Sequence, residues 1–445
     1  MCDLSPSARC RESTLGSSGA CLDSGEGRSV ASPGIVRKVS FALGGGAETT
    51  VDRTSVGGTP SLLRAINERT VLESVRRVGP VSRAQIARET ALSKPTVSQA
   101  LVTLLDAGLV REAGRTSGGK GPTAVLYELN PQAGWVVGID VGRDWVRAAI
   151  ADVTGQFVAR RDERARVKSA KTLITQIGAI AHALAADAGI KWRQVTFATV
   201  GSPGVFEQER GQVALAYALP GWGRQGLVEL VQQELGTKIA FENDVNLAAI
   251  GEQWQGLGKG VENFVYLHLG TGVGMGMVLN GELYRGSSGA AGEVGYLPLA
   301  ETDMRDPSNR RRGALDVAAS ATGVVAEARR LGMSPPLTAK KVFEEARRGD
   351  RKARRVVTGE AHRIALAIVA IAAVVDPELV ILGGGIGSNG DLLLEPVGQE
   401  LRDLSPFRPR VEISTLQQEA TLYGSVSMAL QAAQDQLFAR GEASA

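Results

Sequence analysis

Four short apolar runs, each closing on turn-forming residues, do most to limit the folds open to this chain. They are "WVVGIDVG", "QVTFATVG", "KIAFEN" and "NFVYLHLG", all between Trp135 and Gly270. Each is strand-length, and helix-like stretches are predicted over 170–187, 245–256, 315–331, 359–375 and 421–436. Strand–helix alternation of this kind predicts an α/β domain with mainly parallel sheets over about 135–445. The chain has 445 residues, too many for one ordinary domain, and its 43% hydrophobic content supplies real cores.

Residues 60–130 carry a different pattern. "SLLRAINERTVLESVRRVG" places Leu62, Leu63, Ile66, Val71, Val75 and Val78 at helical spacing. "VSRAQIARETAL" follows, with Ser82 as N-cap and Ile86 and Ala87 facing inward. In "SKPTVSQALVTLLDAGLV", Ser93 caps a helix, Pro95 sits in its first turn and Gly108 closes it. Val97, Leu101, Leu104 and Leu105 form its buried stripe. "LVREAG" and "TAVLYELN" then read as two strands around the loop "GRTSGGKGP". This is a winged helix-turn-helix, a DNA-binding architecture. Burying Val97 and Leu101 turns Thr96, Gln99 and Thr103 outward, where Gln pairs with adenine and Thr meets bases or a thymine methyl. Ser93, Lys94 and Ser98 suit phosphate contacts, and the wing carries Arg115 and Lys120.

Composition narrows the rest. Formal net charge is +3, so any nucleic-acid surface must be local. No apolar run approaches the length of a membrane span, and no secretory leader is evident. The cysteines, Cys2, Cys10 and Cys21, match no zinc spacing, which fits a cytoplasmic protein without disulfides. Residues 1–58 hold ten Gly and ten Ser without a hydrophobic period, and are expected to be disordered.

"FENDVNLAAIGE" joins a strand to a helix through Asn243 and Asp244. Those residue types cap helices, bind sugar hydroxyls, or deprotonate one. "LHLGTGVGMGMVLNGEL" spaces glycines at 270, 272, 274 and 276, which lets backbone N–H groups approach phosphate or simply builds a glycine-rich hairpin. "LVILGGGIG" is a second strand followed by a glycine turn. Trp222, in "LPGWG", either stacks on a sugar or is buried.

In this order the pieces resemble the ROK family of repressors and sugar kinases, over about residues 60–435. The resemblance rests on "FENDVNLAAIGE", "GTGVGMGMVLNGELYRGSSGAAGEVG" and the winged helix-turn-helix of the repressor branch. It implies a two-lobed actin-like ATPase fold, sugar-kinase-like, with the sugar in the cleft. It also implies that Asn243 and Asp244 touch sugar hydroxyls, with Asp244 at the position of the kinase base. Glu293 matches a sugar-contacting Glu. Two departures stand out. Tyr296 replaces a His that serves both sugar and structural zinc. "RRRGALDVAAS" offers Asp316 at the end of a cysteine cluster that has lost every thiolate. Zinc needs about four N or S ligands, so no zinc is expected. The first phosphate loop reads Asp140, Gly142, Arg143, Asp144, where kinases resemble Asp-x-Gly-Gly-Thr. Asp144, a carboxylate where the kinases have a hydroxyl, repels ATP phosphates, so no ATP is expected. The expected ligand contacts are Asn243, Asp244, Glu293, Tyr296 and Asp316. The reading is a sugar-responsive transcriptional repressor binding double-stranded operator DNA as a homodimer or homotetramer, with no membrane partner. A hexose kinase, or a bifunctional kinase–regulator, is the alternative.

Overall fold

The structure, a computed structural model, describes residues 60–116, 123–207, 210–298 and 303–443. The expected disordered tail 1–58 and the wing residue Lys120 lie outside the described residues.

The amino-terminal part builds α1 (Pro60–Val78), β1 (Val81–Ser82), α2 (Arg83–Thr90), α3 (Lys94–Asp106), β2 (Val110–Arg115) and β3 (Val125–Leu129). The three strands form one antiparallel sheet, order β1-β3-β2. Ser82 Oγ accepts from the Gln85 N–H and Ser93 Oγ from the Thr96 N–H, so both helices start on the predicted caps. Gly108 takes φ +69 just past α3, where its missing Cβ avoids strain. Val71, Val75, Ile86, Val97, Leu101 and Tyr127 make the core. Leu63 and Ile66, expected on the inner stripe of α1, are instead about half exposed. The winged core meets α1 only from Val71 onward.

The first lobe runs β4 (Trp135–Val141), β5 (Trp145–Asp152), β6 (Phe157–Arg164), α4 (Ala170–Asp187), β7 (Val195–Ser202), the hairpin β8 (Val205–Glu207) and β9 (Gln212–Ala214), α5 (Leu227–Leu235) and β10 (Ile239–Asn243). Helix α6 (Asp244–Gln255) leads into the second lobe. That lobe contains β11 (Phe264–Leu269), β12 (Val273–Leu279), β13 (Glu282–Leu283), α7 (Pro307–Arg312), α8 (Ala314–Ala319), α9 (Ala321–Arg330), α10 (Ala339–Arg347), α11 (Arg351–Val375), β14 (Leu379–Gly383), α12 (Gly384–Gly387), α13 (Gly390–Leu404) and β15 (Arg410–Ile413). Helix α14 (Ala420–Ala443) closes the chain.

The two sheets share one topology. Their orders are β10-β7-β4-β5-β6 and β13-β12-β11-β14-β15. In each, a central strand pairs antiparallel with a hairpin partner on one side and parallel with a later strand on the other. The sheets are thus mixed, where mainly parallel strands were expected. Connections as short as residues 142–144 permit only antiparallel neighbours. The repeated order is that of an actin-like fold, with the winged helix-turn-helix ahead of it.

Three helical expectations change. The stretch 315–331 breaks at Ser320, which is extended (ψ 171), giving α8 and α9. Helix α11 starts at Arg351, on an Asp350 cap, rather than at 359. It is long and apolar enough to cross a membrane by composition alone, but Ile364, Ile368 and Ile371 bury it in the second lobe's core. Helices α5, α7, α10 and α13 were missed, as was the short α12, where a glycine turn was expected. Trp222 is fully buried among first-lobe residues and is not free to stack on a ligand.

Candidate functional site

On the winged unit, α3 presents Lys94, Pro95, Gln99, Val102 and Asp106 as its exposed face. Gln99 is free to reach a base edge. Thr96 and Ser98 are half-buried beside it, and the Thr96 hydroxyl bonds that of Ser93 (2.8 Å). Thr103 Oγ1 donates to the Gln99 carbonyl (3.3 Å) and accepts from Arg64 Nη2 (3.0 Å). Arg64, on α1, is thereby held at this face, with its Nε paired to Glu68 at 3.0 Å. Its 39-residue separation from Thr103 hid it from sequence reasoning. Exposed Val102 also belongs to this face, as an apolar group suited to a thymine methyl. Arg115 is exposed at the end of β2, where the wing begins.

The second site begins at the end of β10. Asn243 caps α6: its Oδ1 accepts from the Val245 and Asn246 N–H groups (2.8 and 3.0 Å). Its Nδ2 donates to the Gly204 carbonyl (2.9 Å), tying the cap to the loop after β7. Asp244 follows as the first residue of α6, and its Oδ1 also accepts from the Val245 N–H (2.9 Å). So the cap is Asn243, and Asp244 keeps oxygen capacity for a ligand. Buried Glu242 fixes the strand end. Its Oε1 accepts from the Asn243 N–H and from Asn246 Nδ2, and its Oε2 is held by Arg285 at 2.6 Å.

Across the cleft, Glu293 opens the short 3-10 turn Val294–Tyr296. The strand beside it is held close by two glycines. A Cβ on Gly292 (φ +94) would strike the Met275 carbonyl at 1.9 Å, and one on Gly276 would meet the Val245 carbonyl at 2.7 Å. Gly276 is therefore needed for the packing of α6 on β12, independent of any phosphate. Burial, then the nearby Asp140 carboxylate, then Glu293 push the Asp244 carboxyl up to about 7. Burial and Asp316 likewise raise Glu293. The arrangement brings Asn243, Asp244 and Glu293 together as amide and carboxylate groups suited to hydroxyls.

Tyr296 and Asp316 sit differently from a simple ligand shell. Tyr296 Oη donates to the Arg311 carbonyl (2.9 Å). Asp316 Oδ1 accepts from the Val273 N–H (2.8 Å), and its Oδ2 pairs with Arg312 (2.7 Å). Both carboxylate oxygens of Asp316 are engaged inside the protein, where they brace the start of β12. Asn309 Nδ2 adds a bond to the Asp303 carbonyl (2.9 Å). Hydrogen bonds and one ion pair thus tie this segment together. Among the described residues, no group of three His, Cys, Asp or Glu side chains could hold a metal ion.

Charged groups also gather around the β4–β5 hairpin. Asp140, at the end of β4, is almost fully buried and pairs with Arg147 of β5 at 3.0 Å. Burial raises the Asp140 carboxyl and Arg147 counters that shift. Arg147 also approaches Asp162 (3.7 Å) and donates to Gln418 Oε1 (3.3 Å). Arg160 bridges Asp162 and Glu419. Further in, the neutral imidazole of His268, lowered by burial to about 4, packs against Gly270 and Gly384. His268 was given no role from sequence, and here it fills space beside both glycine turns.

Comparison with known proteins agrees with this layout. The ROK family profile matches residues 136–432 and a MarR family profile matches residues 64–119. The chain is 26% identical over 393 residues to the xylose repressor of Caldicellulosiruptor bescii, covering 84% of this chain and 97% of that protein. It is 31% identical over 314 residues to the glucokinase of Halalkalibacterium halodurans, covering 65% of this chain and 93% of the relative. A solved ROK family transcriptional regulator, a homologue of the E. coli MLC protein, superposes with a TM-score of 0.72 at 20% identity. That match covers 86% of this chain and all of the other. A two-lobed actin-like domain behind a MarR-type winged helix, matched by the family profile over most of its length, places the chain in the ROK family.

Proposed function

We infer that this protein is a sugar-responsive transcriptional regulator, acting as a repressor on operator DNA. The observation that carries the reading is one molecule holding an exposed recognition helix and, at the β10–α6 junction, amide and carboxylate side chains suited to sugar hydroxyls. Repressor relatives spanning nearly their full length support it. Asn243, Asp244 and Glu293 bind the sugar, with Tyr296 at their edge and Asp316 as a brace beneath. Gln99, Val102 and Thr96 read bases, while Ser93, Lys94, Ser98, Arg64 and Arg115 position the helix on phosphates. Binding as a symmetric dimer, or a tetramer built from dimers, matches an operator of two half-sites.

The route between the sites runs through α14. Thr421, at its start, donates to the Asp244 carbonyl (3.1 Å). Helix α14 packs along α6 and β4 and reaches α1, where Asp435 pairs with Arg69 at 3.2 Å. Fourteen residues of helix place these two contacts about 21 Å apart. A sugar that pulls on Asp244 shifts α6 and α14 together, and α1 carries the shift to α3. The ligand must bind the two arrangements with different affinity for this to act as a switch.

A gel shift at fixed salt on the protein's own upstream region tests the reading, run with and without sugars. A kinase reading is kept because Asp244, titrating near 7, suits a general base. Sugar-dependent ADP release that Asp244→Asn abolishes would establish it. Asp144, a carboxylate where the kinases carry a hydroxyl, opposes it, as does the added DNA-binding domain. On the repressor reading the protein works without ATP and without zinc.

A further inference from the structure

Tyr217, Arg311 and Tyr296 form a group of side chains near Glu293 that the inner hydroxyl-binding residues do not use. Tyr217 lies in the first-lobe loop between β9 and α5 and is 55% exposed. The guanidinium of Arg311, from α7 of the second lobe, sits over its ring at 5.3 Å from the centroid. The Arg311 carbonyl in turn accepts the Tyr296 hydroxyl, and Tyr296 is three residues from Glu293. A hydrogen bond and a cation–π contact therefore link Tyr296, three residues past the inner carboxylate, to an exposed tyrosine on the facing lobe.

The chemistry changes along these links. Asn243, Asp244 and Glu293 offer amide and carboxylate groups, which address the hydroxyls of one ring. Tyr217 offers an open aromatic face with an arginine over the other. An exposed tyrosine rim stacks on the C–H face of a sugar, and a neighbouring guanidinium donates to hydroxyls at its edge. The loop that presents it is held in an uncommon backbone shape. Leu215, two residues before Tyr217, has φ +56, and the Tyr217 N–H donates to its carbonyl (2.8 Å). For a non-glycine residue that conformation persists only where surrounding structure enforces it.

We propose that Tyr217, Arg311 and Tyr296 form a second saccharide subsite, so that the effector is an oligosaccharide of at least two rings. The proposal rests on the sugar-effector reading above. The subsite joins the two lobes, so a ligand spanning it holds them at one angle, which a single ring in the inner site does less firmly.

The test is calorimetric titration of the full-length protein with xylose, xylobiose and xylotriose, and with glucose, cellobiose and cellotriose. The expected result is a disaccharide binding about tenfold tighter than its monosaccharide, the worth of one stacked ring. Tyr217→Ala should remove that gain and leave monosaccharide affinity within about twofold. Tyr217→Trp should keep it. Tyr217 is exposed, so neither change threatens folding. Equal affinity for one and two rings would overturn the subsite, as would a Tyr217→Ala loss of the same size for both. If none of the six sugars binds, the sugar-effector reading itself falls, and the subsite with it.

Discussion

Asp244→Asn is the sharpest perturbation, because it should raise stability while removing function. The Asp244 carboxyl is held at about 7 by burial and by Asp140 and Glu293. In an unfolded chain it titrates near 4, so the folded state holds its proton more tightly. Folded-state stability therefore falls as pH rises from about 4 to about 7, and levels off above that. Each pKa unit is worth about 1.4 kcal/mol, so three units give a ceiling of about 4 kcal/mol at pH 8. Asp244 keeps partial access to the cleft, which brings the expected gain on neutralisation to about 2–3 kcal/mol. At pH 4 the gain shrinks to about 0.5 kcal/mol, because the wild-type carboxyl is then protonated in the folded state and about half protonated in the unfolded chain. Asn is nearly isosteric with Asp, so packing around α6 is kept. Thermal unfolding of both proteins at pH 4, 6 and 8, without ligand, reads this directly. The variant should melt higher at pH 8, and the gap should close toward pH 4. The same variant should lose most sugar affinity, since a carboxylate acceptor becomes a half-donor amide. A variant that melts lower than wild type at pH 8 would refute the argument that Asp244 is held under electrostatic strain for the sake of a ligand.

Further outcomes follow from the same geometry. Leu101→Ala should cost about 2–5 kcal/mol in the winged core and abolish DNA binding, while sugar titration stays intact. Gln99→Ala should lose about 1–3 kcal/mol on the specific operator and almost nothing on random DNA, whereas Arg115→Ala should weaken both alike and flatten the salt dependence. Arg147→Ala leaves Asp140 buried without its counter-charge, and should cost about 3–5 kcal/mol of stability by denaturant titration. Tyr296→Phe removes one hydrogen bond to the Arg311 carbonyl and should cost about 1 kcal/mol, with a chelator leaving the wild-type melting temperature unmoved.

The winged unit was legible in the sequence because its signals are local. Ser82 and Ser93 cap the helices they precede, and Gly108 turns the chain where α3 ends. In the two lobes β4, β7, β10, β11 and β14 were legible from apolar runs that end in turn residues, though β5, β6, β8, β9, β13 and β15 passed unread. Strand direction was not legible, because direction depends on which strands become neighbours. Helix α13 was missed because Pro396 interrupts it and its buried residues are only Leu393, Val397 and Leu401. Asn243 and Asp244 were visible as a pair, but their division of labour needed hydrogen bonds: Asn243 takes the cap and Asp244 keeps its free oxygen. Contacts between distant residues stayed hidden. Arg64 to Thr103, Arg285 to Glu242 and Arg311 to Tyr217 each join segments that no spacing rule connects. Asp316 shows the converse. Its position matched a ligand residue, while its oxygens went to Val273 and Arg312.

The central claim is that sugar in the cleft changes how the recognition helix holds DNA. It is tested most directly by fluorescence anisotropy on a labelled fragment of the protein's own upstream region. The titration is run at one fixed salt concentration, since phosphate contacts make affinity steeply salt-dependent. The account predicts a specific complex that competitor DNA does not displace, and whose affinity changes about tenfold or more with one sugar of the panel. It predicts no such change in Asp244→Asn. Equal binding to random and upstream DNA, or a sugar that binds the protein yet leaves its DNA affinity untouched, would contradict it.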